Sequence, residues 1–353
     1  MSASLRAGVV GVGSMGRNHA RVYASMEGVE LAAVADADVQ AASRVGNMYR
    51  CTAYNDVGSM LANEQLDLVS IVVPTRHHFA VAAEVIDHGV SVLIEKPIAA
   101  TVSEGWALVE AARRRGVVFT VGHVERFNPA IIALKEQIDD HELGHVFQIA
   151  ARRVGPFPAR IMDVGVVVDL ATHDLDILNY LIGSPVTRMH VELQRRVHPS
   201  HEDLLSAMIC FQSGVIGTLD INWLTPTKIR ELSVSGERGM FVANYLTQDL
   251  TFYENDSCQG KQWPELALIG VTEGRSIRQK VQRREPLFEE LRSFAEAVRT
   301  GGPPRVSGED GIAALELANQ LMHTGLASKR SSPASALERA VGQSSEPVTL
   351  PAV

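Results

Sequence analysis

Cysteine is scarce in this chain of 353 residues: it has three, Cys51, Cys210 and Cys258, which lie far apart. An odd and scattered set suggests neither a disulfide framework nor a thiolate metal site. No apolar run approaches the length that spans a membrane, and the N-terminus enters a strand-like run without a charged and then apolar leader. We therefore expect a cytoplasmic protein with no metal site and no membrane contact.

Positive charge is also in deficit, because 33 Lys and Arg residues stand against 41 Asp and Glu residues, a net charge of −8. Nucleic-acid binding requires a clustered basic surface, so we expect no nucleic-acid partner. Hydrophobic residues make up 46% and charged residues 21%, which is ordinary for a globular protein. The length is sufficient for two domains, each with its own core.

A glycine-rich motif lies close to the N-terminus, where the sequence reads Gly11-Val-Gly13-Ser-Met-Gly16. It follows a strand-like run, Ala7–Val10, and opens a helix-like run, Ser14–Met26. In a dinucleotide site, Gly11 permits the tight turn, Gly13 lets the backbone approach a pyrophosphate, and Gly16 lets the helix pack close to the sheet. We interpret the motif as a dinucleotide site, and the alternative is a glycine-rich turn in an ordinary α/β protein.

An acidic residue, Asp36, follows Gly16 by twenty residues, at the end of the next apolar run. A carboxylate there accepts hydrogen bonds from the ribose hydroxyls of NAD, whereas it would repel the 2′-phosphate of NADP, and no arginine follows directly. NAD is therefore the predicted cofactor. The residues that this motif predicts to hold it are Gly11, Gly13, Ser14, Met15, Gly16 and Asp36.

From Leu5 to His123, apolar strand-like runs alternate with helical patterns. Continuous runs of Val, Ile and Leu indicate strands buried on both faces, which predicts a parallel sheet covered by helices. The predicted strands are Ala7–Val10, Val29–Asp36, Leu66–Val73, Ser91–Glu95 and Val117–Val121. The predicted helices are Ser14–Met26, Gln40–Met48, His77–His88 and Val102–Arg114. We expect a doubly wound Rossmann domain over residues 1–123, with its ligand crevice at the C-terminal ends of the strands.

After a helix near Pro129–Ile138 the strands become longer, and many alternate in polarity. They are Val146–Val154, Val186–Val197, Leu204–Phe211 and Val215–Leu224. This pattern predicts an α+β domain over residues 124–328 with an open, mostly antiparallel sheet. Two helices follow, Leu287–Arg299 and Gly308–Ala327, and the second is expected to pack back on this domain. Residues 329–353 form a tail rich in Ser, Ala and Pro.

Lys96 follows the apolar strand Val92-Leu-Ile94 within the sequence Glu95-Lys96-Pro97. A lysine at the C-terminal edge of a parallel strand points into the ligand crevice. Burial and an oxidised nicotinamide would both lower its pKa, so Lys96 is a candidate to bind a substrate hydroxyl or to join a proton relay. The alternative is a strand-end lysine that caps the sheet.

A second group lies in a helical pattern, where Asp169, His173 and Asp176 stand at i, i+4 and i+7 and share one face, which Asp174 does not. A carboxylate one turn from an imidazole can orient it and tune its pKa toward neutrality. Alcohol oxidation requires a group that removes the hydroxyl proton, and His173 suits that task. The alternative is an N-cap aspartate and a surface histidine in an ordinary amphipathic helix.

The string His141-Glu-Leu-Gly-His145 matches the HExxH pattern of zinc proteases. That chemistry requires both histidines on one face of a stable helix, together with a third ligand. Here Asp139-Asp140 and Gly144 break the helix, and a strand begins at Val146. We interpret the string as a turn.

Arginines cluster at Arg152 and Arg153 and recur at Arg160, shortly before the helix of Asp169. Planar guanidinium groups suit bidentate contact with phosphate oxygens, so this cluster is a candidate site for a diphosphate-bearing substrate. Solvated strand ends or ion pairs between subunits are the alternatives.

Taken together, the motifs resemble the glucose–fructose oxidoreductase/inositol dehydrogenase (Gfo/Idh/MocA) family over nearly the whole chain. The matching segments are GVVGVGSMGRNHA, SIVVPTRHHFAVA, LIEKPIA, VGHVERFNPA and DLATHDLDIL. The resemblance implies an NAD-dependent dehydrogenase with Lys96 as catalytic lysine, His173 as proton-transferring histidine and Asp169 as the family's accompanying aspartate. The usual Pro-Asn of the cofactor loop is here Pro74-Thr75. The further cofactor contacts expected are Pro74, Thr75, His78, Glu95 and Lys96.

Within this family, ERFNPA and ARRVGPFPARIMDVGVVVDLATHD resemble most the nucleotide-sugar branch, which oxidises UDP-N-acetylglucosamine at C3 to the 3-keto sugar. The resemblance implies a UDP-sugar substrate and a homo-dimer or homo-tetramer packed through the open sheet. The residues expected to bind the substrate are Arg126, Asn128, Arg153, Arg160 and Asp176. The alternatives are a keto-sugar reductase, an inositol or polyol dehydrogenase, and a non-catalytic cofactor-sensing protein on the same fold.

Overall fold

The N-terminal part of the chain forms a six-stranded parallel sheet in this computed structural model, which describes residues 4–158, 164–256 and 273–331. Its strands are β1 (Leu5–Val10), β2 (Val29–Ala35), β3 (Thr52–Tyr54), β4 (Leu68–Ile71), β5 (Ser91–Glu95) and β6 (Phe119–Gly122). They lie in the order β3-β2-β1-β4-β5-β6, and all pairs are parallel. The order reverses between β1 and β4, which leaves a crevice at their carboxyl ends and confirms the predicted Rossmann fold.

Helices cover both faces of this sheet. They are α1 (Ser14–Ser25), α2 (Val39–Tyr49), α3 (Val57–Asn63), α4 (His78–Asp87) and α5 (Val102–Arg115). Their N-termini have side-chain caps where the sequence supplies them: Asp38 accepts from two backbone N–H groups of α2, and Thr101 forms a capping box with Glu104. The pair β3 and α3 was not predicted, because each is too short to show a clear period.

The second sheet has eight strands and follows α6 (Pro129–Asp139). They are β7 (Val146–Val154), β8 (Val186–Gln194), β9 (Leu204–Phe211), β10 (Ile216–Asn222), β11 (Ile229–Gly236), β12 (Gly239–Asn244), β13 (Asp249–Asn255) and β14 (Glu273–Arg278). The order is β14-β13-β12-β11-β7-β10-β9-β8, and within it the β7–β10 pair alone is parallel. The predicted mostly antiparallel sheet is confirmed.

One face of the second sheet is covered by α7 (Thr172–Ile182), which packs its apolar side chains on the inward residues of the strands. The other face carries exposed apolar side chains such as Met208 and Ile216. A groove of about 680 Å³ runs along that face and is lined in part by Arg152, Asp220 and Glu231. This outer face is the one for which the sequence predicts a partner subunit.

The chain then returns to the first sheet through α8 (Pro286–Thr300) and α9 (Gly308–Ser331). Leu291 and Phe294 of α8 lie in the core on one face of that sheet, and Ile312 of α9 lies in the core on its other face. The helix α9 also contacts β8 and α7. The two C-terminal helices therefore connect both sheets, and α8, which was predicted within the second domain, packs in the first.

The segment His141–His145 forms a turn before β7, with a φ of +58° at His141 and +66° at Gly144. Two histidines in such a turn do not share a helix face, so the HExxH string lacks the geometry of a zinc protease. Among the residues of the three described ranges, no group of three His, Cys, Asp or Glu side chains is placed to hold a metal ion. No helix within those ranges combines the length and the apolar character needed to cross a membrane.

Candidate active site

The turn after β1 has the shape that a pyrophosphate cradle requires. Gly11 has a φ of +87°, and a Cβ there would lie 2.6 Å from the carbonyl oxygen of Val72. A Cβ on Gly16 would lie 1.8 Å from the carbonyl oxygen of Gly11, whereas one on Gly13 would have no atom within 4 Å. Because no side chain caps α1, its first backbone N–H groups are available to phosphate oxygens.

Asp36 lies beside this turn, at the end of β2. Its Oδ2 accepts a hydrogen bond of 2.7 Å from the Val12 N–H, and its Oδ1 accepts one of 2.9 Å from the Asp38 N–H. These bonds fix the carboxylate, which has lone pairs left for two ribose hydroxyls. The open space at Gly13, the uncapped helix and the fixed carboxylate together fit NAD.

The loop after β4 carries the next predicted cofactor residues. Pro74 is exposed and Thr75 is half-buried, so both are accessible at the edge where the crevice opens. His78 is buried, and its ring nitrogens lie 2.9 Å from the carbonyl oxygens of Pro97 and Val73. The His78 ring therefore lies between the loops after β4 and β5, and its expected contact with the cofactor stays a prediction.

Glu95, the last residue of β5, is held from two directions. One oxygen lies 3.1 Å from Nε2 of the buried His19 on α1, and the other accepts a 3.1 Å hydrogen bond from the Lys96 N–H. Burial would raise the pKa of Glu95, but the His19 hydrogen bond and the nearby charges of His19 and Lys96 keep it below its ordinary value. This carboxylate therefore orients the start of the Lys96 segment.

Lys96 contacts Asp169, which lies 73 residues later in the sequence. Its Nζ donates a 2.7 Å hydrogen bond to the backbone carbonyl of Asp169 and lies 3.8 Å from the Asp169 carboxylate. Burial lowers the pKa of Lys96, while the charges of Asp169 and Glu95 oppose that shift. The side chain is still 15% exposed, so a substrate hydroxyl can reach the ammonium.

Asp169 lies in a π-helical turn, Val167–Ala171, directly before α7. A π turn widens the helix and displaces side chains from the regular i, i+4 relation, and such turns are frequent at functional sites. In the described parts of the chain, no hydrogen bond or ion pair joins Asp169 to His173. The spacing that predicted a carboxylate–imidazole pair assumed a regular helix, and the carboxylate instead faces Lys96.

His173 follows this turn and is half-buried. Its Nδ1 is buried and has no hydrogen-bond partner in the described ranges. Burial, followed by the positive charges of Lys96 and Arg153, lowers the pKa of His173 well below 6.5. The imidazole is therefore neutral near pH 7 and has the capacity to accept a proton.

Arg126 and Asp176, two predicted substrate contacts, are buried against each other. Arg126 donates to both Asp176 oxygens, at 2.6 Å from Nη2 and 2.9 Å from Nε, and also to Asp310 of α9 at 3.1 Å. This pair fastens α7 to the 3-10 turn Val124–Phe127 and to α9. The two side chains pair with each other in this structure, and their expected contact with the substrate stays a prediction.

Asn128 is also occupied within the fold. Its Oδ1 caps α6 by accepting from the Ala130 N–H at 3.2 Å, and its Nδ2 donates to the Tyr245 carbonyl at 3.1 Å. The side chain is buried. In this structure Asn128 caps a helix, and its expected role at the substrate stays a prediction.

The three clustered arginines are separated by the fold. Arg153 is buried, donates to Asp174 at 2.6 Å and Glu125 at 3.0 Å, and lies over the Tyr245 ring. Arg152 points to the outer face of the sheet, where it pairs with Asp220. Arg160 lies outside the described residues, so its expected substrate contact stays a prediction.

Two further side chains belong to this site and were not predicted. His123 is buried beside it: both of its ring nitrogens lack a hydrogen-bond partner among the described residues, and Nδ1 lies 3.8 Å from the Asp176 carboxylate. Arg230 lies directly opposite Arg153 in the pairing of β11 with β7. No local motif marks either residue, although His123 stands within the VGHVERFNPA segment.

A buried carboxyl group, Glu290 on α8, lies behind the cofactor side of the site. Neither of its oxygens has a partner in the part of the chain that the structure describes. Burial and the nearby charge of Glu95 raise the pKa of Glu290 well above its ordinary value. Burial without a partner therefore favours the protonated form of this carboxyl group.

Comparison with known proteins identifies relatives for both sheets. Residues 5–123 match the family model described as the oxidoreductase family, NAD-binding Rossmann fold, and residues 131–242 match the GFO/IDH/MocA C-terminal domain. The chain is 30% identical over 318 residues to the UDP-N-acetylglucosamine 3-dehydrogenase of Acidithiobacillus ferrooxidans. The aligned region covers 90% of this chain and 96% of that protein. It is 27% identical to a scyllo-inositol 2-dehydrogenase (NAD(+)) of Bacillus subtilis, and that alignment covers 90% of this chain and 93% of the relative.

The structure agrees with the sequence comparison. A solved structure of the Acidithiobacillus ferrooxidans UDP-N-acetylglucosamine 3-dehydrogenase matches with a TM-score of 0.80 at 29% identity, over 92% of this chain and 98% of that one. The family models cover most of the chain, one on each sheet. The NAD cradle of the first sheet agrees with the description of its model. This chain therefore belongs to the Gfo/Idh/MocA family of NAD-binding oxidoreductases and is a dehydrogenase.

Proposed function

We propose that this dehydrogenase oxidises a secondary hydroxyl of a nucleotide sugar, with UDP-N-acetylglucosamine oxidised at C3 to UDP-3-keto-N-acetylglucosamine. The observation that carries the proposal is the similarity to UDP-N-acetylglucosamine 3-dehydrogenase, at 30% identity over 90% of the chain. The largely buried Lys96 and the neutral His173 next to the cofactor domain support a catalytic role, because a sensor of the cofactor would have no need for either.

The oxidation removes a hydride from the sugar carbon and a proton from its hydroxyl. Bound NAD supplies the hydride acceptor. His173 accepts the hydroxyl proton, because its lowered pKa keeps the ring neutral near pH 7 and a neutral ring has a nitrogen lone pair to receive it. Lys96 donates a hydrogen bond to the same oxygen, and the Asp169 carbonyl at 2.7 Å aims its ammonium.

The experiment that tests the proposal mixes the purified protein with NAD and UDP-N-acetylglucosamine. NADH absorbance is followed while the sugar is analysed by mass spectrometry. We expect a sugar product lighter by two hydrogens, in amounts that match the NADH formed. A parallel reaction with an added keto acid detects product when NADH stays bound and is reoxidised in place.

An inositol is the second candidate substrate, because the scyllo-inositol 2-dehydrogenase of Bacillus subtilis covers the same share of the chain at 27% identity. The same assay is therefore run with scyllo-inositol and myo-inositol. Oxidation of an inositol without oxidation of the nucleotide sugar would overturn the proposal in favour of a polyol dehydrogenase.

Cofactor preference follows from Asp36. A 2′-phosphate would meet a carboxylate that is fixed beside the glycine turn by the Val12 and Asp38 N–H groups, so we expect a higher kcat/KM with NAD than with NADP. Asp36→Ala removes that repulsion and weakens NAD binding by about 10-fold, the effect of one hydrogen bond to a charged group. Equal efficiency of the two cofactors in the wild type would contradict this assignment.

A homo-dimer or homo-tetramer packed through the outer face of the second sheet completes the proposal. Its support is the set of exposed apolar side chains there, among them Met208 and Ile216. Light scattering of the purified protein measures the oligomeric state, and a monomer at micromolar concentration would contradict this part.

A further inference from the structure

Two arginines stand directly opposite each other on neighbouring strands. In the antiparallel pairing of β7 with β11, Arg153 is the register partner of Arg230. Opposed residues of such a pair project to the same face of the sheet, and like charges in that position are destabilising. The face is the one covered by α7, because Arg153 reaches Asp174 on that helix. A destabilising arrangement at the edge of an active site calls for a compensating anion.

The two arginines differ in how their charges are satisfied. Arg153 has Asp174 at 2.6 Å and Glu125 at 3.0 Å. Arg230 has no carboxylate within 4 Å among the described residues, and its Nε is buried there without a hydrogen-bond partner. Burial, followed by the charge of Arg153, lowers the pKa of the Arg230 guanidinium. The charges of Glu125, Asp174 and Asp169 offset part of this effect, but none of these carboxylates pairs directly with the guanidinium in the described ranges.

Arg230 lies close to the reacting groups. Its charge contributes to lowering the pKa of both His173 and Lys96. Lys228, two residues earlier, is exposed, and the charge of Arg230 is the largest cause of the lowered pKa of Lys228. Arg230 therefore lies on the side of the reacting groups, and Lys228 lies on the side of the surface.

Two neighbouring polar groups are free as well. Arg153 has one terminal nitrogen, Nη2, that is buried and unpaired among the described residues, and the Tyr245 hydroxyl is likewise buried and unpaired. The backbone N–H of Tyr245 donates to the Arg230 carbonyl at 3.0 Å, which keeps this ring next to β11. A forked guanidinium, a lysine and these donors provide the kind of set that binds phosphate oxygens.

We propose that Arg230 and Lys228 form an anion subsite that binds the phosphate groups of the substrate, while Lys96 and His173 face its sugar. The subsite rests on the proposed function for the identity of its ligand, a nucleoside diphosphate joined to the sugar. The clamp expected at Arg152, Arg153 and Arg160 is a separate prediction, in which Arg152 faces away from the reacting groups and Arg153 is paired with Asp174. A neutral polyol carries no group for it, so the subsite selects against inositols.

The test measures binding directly, with NAD present so that the glycine turn is occupied. Calorimetry gives the Kd of UDP and of inorganic pyrophosphate for the wild type and for Arg230→Gln. We expect the Kd of UDP to rise about 10- to 100-fold in the variant, the effect of losing a charged hydrogen bond. We expect Lys228→Gln to show a smaller rise and Arg230→Lys a partial recovery.

The matched control is Arg152→Gln, which removes the same charge from the opposite face of the same sheet. It should leave the Kd of UDP unchanged, and the Kd of NAD should be unchanged in all four variants. N-acetylglucosamine, which lacks phosphate, should respond to none of them. Should Arg230→Gln fail to fold, Arg230→Lys and Lys228→Gln still provide the comparison.

The subsite is overturned when the wild type binds neither UDP nor pyrophosphate, or when Arg230→Gln binds UDP as tightly as the wild type. Its failure is distinct from that of the proposed reaction. Oxidation of UDP-N-acetylglucosamine with an unchanged KM in Arg230→Gln would remove the subsite and leave the reaction. Binding of UDP that depends on Arg230, without any oxidation of the sugar, would remove the reaction and leave the subsite.

Discussion

Asp174 and Asp176 on α7 are both buried, and each is paired with an arginine from another part of the chain. Asp174 meets Arg153 at 2.6 Å, and Asp176 meets Arg126 at 2.6 Å. We call these two pairs the fixing pairs, because each joins α7 to the polypeptide around it. Their charges are satisfied before any ligand arrives.

The neighbouring reacting groups, Lys96, Asp169 and His173, are arranged differently. The Lys96 ammonium donates one hydrogen bond, of 2.7 Å to the Asp169 carbonyl, lies 3.8 Å from the Asp169 carboxylate and has donors left over. The buried Nδ1 of His173 has no partner among the described residues. A satisfied group loses a hydrogen bond when it turns to a substrate, whereas an unsatisfied group gains one. The difference in pairing therefore separates the charges that hold the site from those left for chemistry.

The strongest test of this difference removes a reacting group. Lys96→Met and His173→Ala should each lower kcat by about 10²- to 10⁴-fold, the usual contribution of a positioned acid or base. Stopped-flow or steady-state assays measure the loss, and the Kd of NAD and the melting temperature should stay close to the wild type. Lys135→Met, which removes an ammonium paired with Asp139, is the control. Near-normal turnover in either variant would refute the assignment.

Removing one partner of a fixing pair should affect stability instead. Asp176→Ala leaves the buried Arg126 with only Asp310, and we expect the free energy of unfolding to fall by about 3 kcal/mol. The double variant Arg126→Met, Asp176→Leu removes both charges and should recover most of it. Urea unfolding measures both variants. A raised KM for the sugar at unchanged stability would instead restore Asp176 as a substrate contact.

The buried histidines should make stability depend on pH. Burial lowers the pKa of His78, His123 and His173 below 6.5, so below that pH the unfolded chain binds protons that the folded chain excludes. Their contribution is therefore complete above pH 6.5 and is lost as the pH falls, by up to about 1.4 kcal/mol per pH unit for each group. Urea unfolding between about pH 5 and pH 7.5 measures this slope.

His123→Asn should reduce that slope by up to the contribution of one histidine, about 1.4 kcal/mol per pH unit. His88→Asn, at an exposed position, should leave the slope unchanged. A steeper slope in His123→Asn than in the wild type would mean that folding raises the pKa of His123, so that the ring is charged in the folded protein. It would then be the third partner of the Arg126–Asp176 pair rather than a neutral neighbour.

The smallest expected effect concerns the link between Asp169 and Lys96. The charge of Asp169 opposes the lowering of the Lys96 pKa by burial, so Asp169→Asn should lower that pKa further. The alkaline limb of the kcat/KM profile should move to lower pH by about one unit. A shift of the acid limb with an unchanged alkaline limb would show that Asp169 acts on His173 instead.

Much of the fold was accessible from local patterns. The bounds of β5, β7 and β9 agree with their predicted ranges. Apolar runs of that length have a pattern typical of strands, and polar or turn-forming residues mark where they end. The edge strand β3 and the helix α3 were not predicted, since their few residues carry no readable period. The π turn at Asp169 was not predicted either, because no residue type marks it.

By itself, the sequence determined the NAD cradle and the order of the reacting residues along the chain. Glycine at 11 and 16 is required by contacts within a few ångströms of the turn, and Asp36 and Lys96 each follow a strand that its own apolar run predicts. These are local consequences of backbone sterics and periodicity.

Only the tertiary structure decided which charges are free. Arg126 and Asp176 are 50 residues apart and Arg153 and Asp174 are 21 apart, and Arg230 meets Arg153 through the register of two strands. Whether a buried charge has a partner depends on which elements the fold places within about 4 Å of it. That distance is set by packing and register rather than by spacing along the chain.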